Sequence, residues 1–281
     1  MTYSILLGTD PELFLKDKEG NFVSAHDLIP GSKWDPTPVE LGAIQPDGVA
    51  AEFNTAPAAT EDEFLTNITT VMVQLEQQIR SIRPDLVIAI TPTATFIKEY
   101  FDSLPESAKE LGCTPDFNAY TGDTNEPPST SEPFRTGAGH IHIGWGSDFL
   151  RADYEHFERC MDVVKQLDAV IYFASLLWDD DDKRRTLYGK IGAFRPKSYG
   201  VEWRPLSNAY LGSEESKRYV FRTTKHLVDL LLNQDVKIFE DSLAQDMVAR
   251  VHAGVPIIKS EIVEYLSKIE EKYGVRSYEA S

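Results

Sequence analysis

The chain has 281 residues, 42% of them apolar and 11% aromatic, proportions that bury a core and exclude a disordered polymer. A formal charge of −17 argues against tight generic binding to nucleic acid, whose phosphates need Lys and Arg. No run of about 18 apolar residues marks a membrane-spanning helix, and no basic-plus-apolar leader marks a secretory signal. Cys113 and Cys160 lack zinc-ligand spacing and fit a reducing compartment as inert thiols. The expected location is therefore the cytoplasm, with no membrane partner and an open oligomeric state.

Residues 3–25 read as strand, turn and return: 3–7 and 13–16 flank Asp10-Pro11-Glu12, 17–21 turn, and 22–25 come back. Residues 26–48, rich in Pro, Gly and Asp, read as a loop with little regular structure, ending in a turn that delivers a strand with Glu52. Thr60-Glu-Asp-Glu63 is a capping box, so a helix starts there and continues through Phe64, Ile68, Val71, Leu75 and Ile79 until Pro84 stops it. Residues 86–90 read as a short buried strand. Residues 113–137 read as loop, either a mobile flap over a site or a surface connection. Ser147 then caps a long helix through Tyr154, Phe157, Cys160, Val164 and Ile171. It ends at residues 179–182, four acids that like-charge repulsion holds in solvent. Seven cations follow between residues 183 and 204, interleaved with Gly189, Gly192 and Gly200, which would let the backbone approach phosphate. Residues 213–281 have helical spacing and read as scaffold, so 1–281 is expected to be one α+β domain with a helical C-terminal part.

Four of these segments share one construction. In an extended chain successive side chains alternate faces. At 199–205, Tyr199, Val201 and Trp203 share one face, while Glu202 and Arg204 share the other. At 138–144, Ile141 and Ile143 oppose His140 and His142. Phe53 opposes Glu52 and Asn54, and Asp10 and Glu12 share a face. Together they predict a sheet with a charged, metal-binding concave face. Carboxylates suit magnesium or manganese, and a histidine among them moves the balance toward manganese or zinc without excluding magnesium. The cations facing them suit a nucleoside triphosphate, whose chemistry is run by positioning and charge neutralisation. No P-loop or dinucleotide fingerprint is present. His26, His156, His226 and His252 read as surface or helix residues, and Trp145 and Trp203 as core.

Asp10-Pro-Glu12, Glu52-Phe-Asn54, Gly137 to Gly144, Arg185…Tyr188-Gly-Lys-Ile-Gly…Arg195 and Tyr199-Gly-Val-Glu-Trp-Arg204 resemble the phage-type carboxylate–amine ligases. These are distant relatives of glutamine synthetase and glutamate–cysteine ligase, and the matching motifs span about residues 8 to 208. The resemblance implies a curved, mostly antiparallel sheet with helices on its outer face, holding ATP and magnesium. It implies ATP-dependent joining of a carboxylate to an amine through an acyl phosphate, in a bacterial or phage-infected cytoplasm. Asp10, Glu12, Glu52, His140 and Glu202 match metal ligands. His142, Arg185, Arg195 and Arg204 match catalytic groups, and Arg185, Lys190, Arg195, Lys197 and Arg204 match nucleotide-binding cations. Glutamine synthetase has Glu where Asp10 stands, and one further metal acid there has Asn54 and Asp47 as candidate substitutes here.

Two competing readings use the same residues differently. A His-x-His strand plus a carboxylate also suits a nucleotide-independent metal hydrolase or cupin-like enzyme. That reading needs more histidine ligands and leaves the seven cations without a use. A non-enzymatic phage or structural protein that retained the sheet is the third, and the intact acids and arginines speak against it.

Overall fold

The computed structural model describes residues 2–109, 116–126, 132–150 and 153–278. Cys113, with residues 113–115 and 127–131 of the predicted loop, lies outside them. The fold is α+β, with a large, mostly antiparallel open sheet and helices. The first strand, β1 (Leu6–Lys16), runs unbroken where two strands were expected. Pro11 stands at the last pair of one ladder, opposite Gly139, where its missing N–H interrupts nothing. β2 (Phe22–Val23) returns as expected.

Residues 26–48 depart from the sequence reading: they contain β3 (Gly31–Ser32), β4 (Asp35–Val39) and β5 (Gly42–Asp47). Pro36 and Pro38 look like strand breakers, but β4 lies near the sheet edge, where missing donors are tolerated. β6 (Ala50–Thr55) follows, then α1 (Glu61–Ile82). Its capping box forms, with Thr60 Oγ1 accepting from the Glu63 N–H and Glu63 Oε2 accepting from the Thr60 N–H. β7 (Val87–Ala89) is an edge strand rather than a buried one, and Val87 is 49% exposed. β8 (Thr93–Thr95), α2 (Lys98–Ser103), α3 (Glu106–Lys109), β9 (Phe117–Asn118), β10 (Phe134–Thr136) and β11 (Gly139–Gly144) come next.

The long helix starts later than expected. Asp148 has φ +62°, a left-handed conformation that breaks a helix, so Ser147 caps nothing. α4 (Tyr154–Leu167) begins instead under Asp153, which accepts from the His156 N–H. A π-helical turn at Asp168–Tyr172 leads to α5 (Phe173–Ser175), α6 (Asp182–Leu187), β12 (Ala193–Lys197) and β13 (Gly200–Trp203). α7 (Glu214–Gln234), α8 (Ser242–His252) and α9 (Lys259–Tyr273) form the helical C-terminal part. Among the described residues, no helix is long and apolar enough to cross a membrane.

The main strand order is β3-β4-β5-β6-β1-β11-β13-β12-β9, with β2 and β7 on the far half of β1 and every described pairing antiparallel. One face is apolar. Leu7, Leu13, Leu15, Ile44, Phe53, Ile141, Ile143, Phe194, Val201 and Trp203 join buried residues of α1, α4 and α7 in one core. The opposite face lines a cavity. Trp145 and Trp203 are core, as expected. Asp168 is buried behind the sheet, where it accepts from Trp203 Nε1 and the Gly192 N–H, both at 2.8 Å. Burial pushes its carboxyl up to about 7 despite those bonds.

The predicted solvated acid run is only half solvated. Asp180 and Asp182 are exposed, but Asp179 is buried, accepts from Ser207 Oγ at 2.7 Å and pairs with Arg185 at 3.2 Å. Asp181 caps α6. Beside them Arg184 is fully buried and donates to the carbonyls of Gly137 (3.2 Å), Pro205 (2.7 Å) and Leu206 (2.6 Å). It thereby ties the entry to β11 to the exit from β13. Arg184→Ala removes three buried hydrogen bonds, leaves the Pro205 carbonyl without its donor, and is expected to cost about 3 kcal/mol or more. Arg184→Lys should recover only part of that, because an ammonium lacks the planar fork. Chemical denaturation of the three proteins measures both differences.

Candidate active site

The cavity takes its polar wall from the even-numbered residues of the central strands. Leu6, Gly8, Asp10, Glu12 and Phe14 of β1 line it, as do His140, His142 and Gly144 of β11. Register sets which side chains meet. Asp10 stands opposite His140, His142 opposite Glu202, Glu12 opposite Glu52, and Arg195 opposite Glu202. Opposed residues in an antiparallel pair hold their Cβ atoms about 4.5–5.5 Å apart, which is contact distance for these groups. Gly139 permits the close approach at the head of β11, since a Cβ there would lie 2.3 Å from the Ser207 carbonyl oxygen.

Asp10, His140 and Glu202 each offer a ligand atom, and all three atoms lie within 4.8 Å of one another. His140 Nδ1 is 3.2 Å from Asp10 Oδ1 and 3.6 Å from Glu202 Oε1, while its Nε2 is 3.3 Å from the Tyr188 hydroxyl. His142 Nε2 is 3.1 Å from Asp10 Oδ2, and its Nδ1 bonds the Tyr199 hydroxyl. Glu12 accepts from the Ala138 N–H at 3.0 Å, and Glu52 from Gln45 Nε2 at 2.9 Å.

Burial and neighbours drive these groups apart electrically. Burial, reinforced by the Arg204 charge, pushes His140 down to about 4, so its imidazole is neutral at pH 7, the form that binds metals. Burial also presses on His142, but Asp10 outweighs it and holds His142 above its ordinary value. For Asp10 itself burial is outweighed by the two histidines, which keep it well below the usual carboxylate range. Glu12 is pushed up to about 7 by burial and by Asp47. Glu52 is pushed well above its ordinary value by burial, then by Asp47, Asp10 and Glu12. Crowded carboxylates of this kind are relieved by a shared cation.

Cations stand on the neighbouring strands. Lys197 Nζ is 2.6 Å from Glu202 Oε2, Arg195 Nη1 is 3.6 Å from Oε1, and Arg204 contacts Oε1 while bonding Asp116 at 2.9 Å. Glu202 stays below its ordinary value, because His140, Lys197 and His142 outweigh burial and Asp10. All three cations line the cavity.

Two expected cations do not. Arg185 folds back onto Asp179 and Asp182, whose charge claims its guanidinium. Lys190 is exposed and lies off the cavity wall. The glycines among the cations serve the chain's own packing. A Cβ at Gly189 would meet the Arg184 guanidinium at 2.4 Å, and one at Gly200 would meet the Ile143 carbonyl at 2.1 Å. Tyr199 also departs from the strand alternation, because it sits in the turn before β13 and lines the cavity with its hydroxyl on His142. The alternation pattern did not single out Tyr188, Gln45, Lys33 or Trp34. Tyr188 belongs to the basic, glycine-rich segment before β12, whereas the other three belong to the segment read as irregular loop.

The donor set fits a hard divalent ion. Oxygens about 2.0–2.1 Å from magnesium lie roughly 3–4 Å from one another, close to the present spacing of the triad. Glu12 must lose its proton to serve as a ligand. Since its folded value (about 7) exceeds the ordinary 4.5, its contribution to stability is present below pH 4.5 and is lost as pH rises through 7. An added divalent ion offsets that loss. The rise in melting temperature on adding magnesium or manganese is therefore expected to be larger at pH 8 than at pH 5.5, and Glu12→Gln should flatten the difference. No protein-family model and no curated protein matches the chain.

Proposed function

We propose that the chain is an ATP- and magnesium-dependent carboxylate–amine ligase acting through an acyl phosphate. One observation carries this reading. An acid–imidazole set (Glu52, His140 and Glu202 buried, Asp10 and Glu12 half-buried) and a bank of cations (Arg195, Lys197, Arg204) face one cavity from neighbouring strands. The cavity is about 1630 Å³, larger than the roughly 300–1,000 Å³ of most small-ligand pockets, and has room for a nucleotide beside two further substrates.

In this reading Asp10, His140 and Glu202, with Glu12 and Glu52 beside them, hold the magnesium, which when bound neutralises phosphate charge. Arg195, Lys197 and Arg204 take the phosphate oxygens and stabilise charge as it develops on them. The substrate carboxylate attacks the γ-phosphorus of ATP, and the bond to the β-bridging oxygen breaks to release ADP. The amine nitrogen then attacks the acyl carbon, phosphate leaves with the bonding pair, and the nitrogen loses its proton. His142, with Nε2 on Asp10 and Nδ1 on the Tyr199 hydroxyl, has both ring nitrogens engaged and serves to hold Asp10 in position. The nucleotide-independent hydrolase is less well supported, because of six histidines only His140 and His142 line the cavity.

The test is ADP release. It should require magnesium, a carboxylate and an amine together, and should fall about 10²-fold or more in Arg195→Ala and Glu202→Gln. Ester or amide hydrolysis that needs no nucleotide, and that Arg195→Ala retains, would move the assignment to the hydrolase.

A further inference from the structure

The two sides of the cavity differ in chemistry. On β12 and just past the end of β13 the lining carries Arg195, Lys197 and Arg204. On the β3-to-β6 side it carries Asp47 and Glu52, with Lys33 as the cation among the described residues. Gln45 is nine-tenths buried beside Glu52; its Nε2 donates to that carboxylate and its Oε1 has no hydrogen-bond partner.

Lys33 and Trp34 form the two-residue turn of the β3–β4 hairpin, between the paired Ser32 and Asp35. The hairpin is tightly closed: Gly31 has φ +88°, and a Cβ there would lie 2.7 Å from the Asp35 carbonyl oxygen. Lys33 Nζ, 3.4 Å from Asp47 Oδ2, ties the turn to the cavity wall. Trp34 is held at the rim of the cavity with 84% of its surface exposed. Trp145 and Trp203 are buried, and Trp178 packs on Tyr219 and Tyr278.

Strand order separates Trp34 from the phosphate cations. Neighbouring strands lie about 4.8 Å apart, and β4 is three strands from β1 on one side of the acid set, whereas β12 is three strands from β1 on the other. A triphosphate ending at Asp10 and Glu202 and running along Arg195 and Lys197 points away from the hairpin. What reaches Trp34 is then an organic substrate. An indole face and the Asp47 carboxylate, which Lys33 shares, recognise a cation, the indole through its negative π face.

We infer that the Trp34–Asp47 side of the cavity binds the acceptor amine, and that this amine carries a second, non-reacting positive charge of the alkylammonium kind. The attacking nitrogen must shed its proton, whereas a charge that persists through the reaction gives Trp34 and Asp47 a fixed target. Diamines, polyamines and lysyl side chains share this chemistry. The assignment deepens the ligase reading and rests on it.

Trp34 reports its own occupancy, since acrylamide quenching reads the exposed indole ahead of the buried ones. Spermidine, 1,5-diaminopentane and a peptide with one internal lysine are each added to the full chain with magnesium, with 1-pentanol as the uncharged control. At least one of the cations should cut the quenching slope about twofold while pentanol leaves it unchanged. Free diamines and the peptide separate the two sources. Asp47→Asn should weaken the protecting cation about tenfold. In turnover Trp34→Leu should raise KM for the amine about tenfold and leave KM for ATP unchanged. The inference is overturned if no cation protects Trp34, if ATP–magnesium alone protects it, or if Asp47→Asn binds the cation as tightly as the parent protein. Protection in a protein that releases no ADP under any condition keeps the cation site and removes the ligase.

Discussion

The register of β1 between its two neighbours is the constraint on which the site depends. Asp10 meets His140 and Glu12 meets Glu52 only while β1 keeps one alignment against β11 and β6. A slip of a single residue would turn both acids of β1 toward the core and Leu7, Leu13 and Leu15 toward the cavity. The charged face does not hold that alignment, since crowding four carboxylates opposes it. The apolar face holds it, through Leu7, Leu13 and Leu15 packed with Phe53, Ile141 and Ile143. Full burial of such side chains is worth roughly 1.5–3 kcal/mol each. The same alternation therefore builds the core and imposes a set of repelling groups on the other side.

That set is polarised rather than uniformly acidic. His140 and His142 lie two residues apart on one strand face, yet the first is pushed toward neutrality and the second toward its charged form. Asp10 touches both, but burial and the Arg204 charge outweigh it at His140, whereas at His142 it outweighs burial. Groups whose environments separate their protonation are the usual mark of a site that does chemistry. Behind the sheet, Asp168 fastens Trp203 and Gly192 from the core side, so β13 and the lead into β12 are anchored on both faces.

Much of this was legible in the sequence because period-two alternation is a local signal. Asp10, Glu12, Glu52, His140, His142 and Glu202 announce their common face from within single strands, and Thr60 with Glu63 announces α1. What could not be read depends on tertiary context. Arg185 and Arg195 look alike in a basic stretch, but only the fold shows that buried Asp179 claims the first. Pro36 and Pro38 hid β4 because the sequence does not say that their strand lies near an edge. Asp148 carries no outward sign of the left-handed backbone that delays α4. Tyr199 was placed by alternation with Val201 and Trp203, yet it precedes the strand and turns the other way.

The central place of β1 has a consequence for how the chain comes into being. Its six opening residues are made first, yet they pair with Gly144 through Gly139, and β11 in turn pairs with β13 at Gly200–Trp203. As the polypeptide leaves the ribosome, β6 reaches β1 early, but β1 must wait for about half of the chain before β11 can cover its other edge. Pairings between such distant segments close large loops and make assembly slow. The edge of β1 that β11 will cover is exposed throughout that interval, which makes the nascent protein a natural client for chaperones.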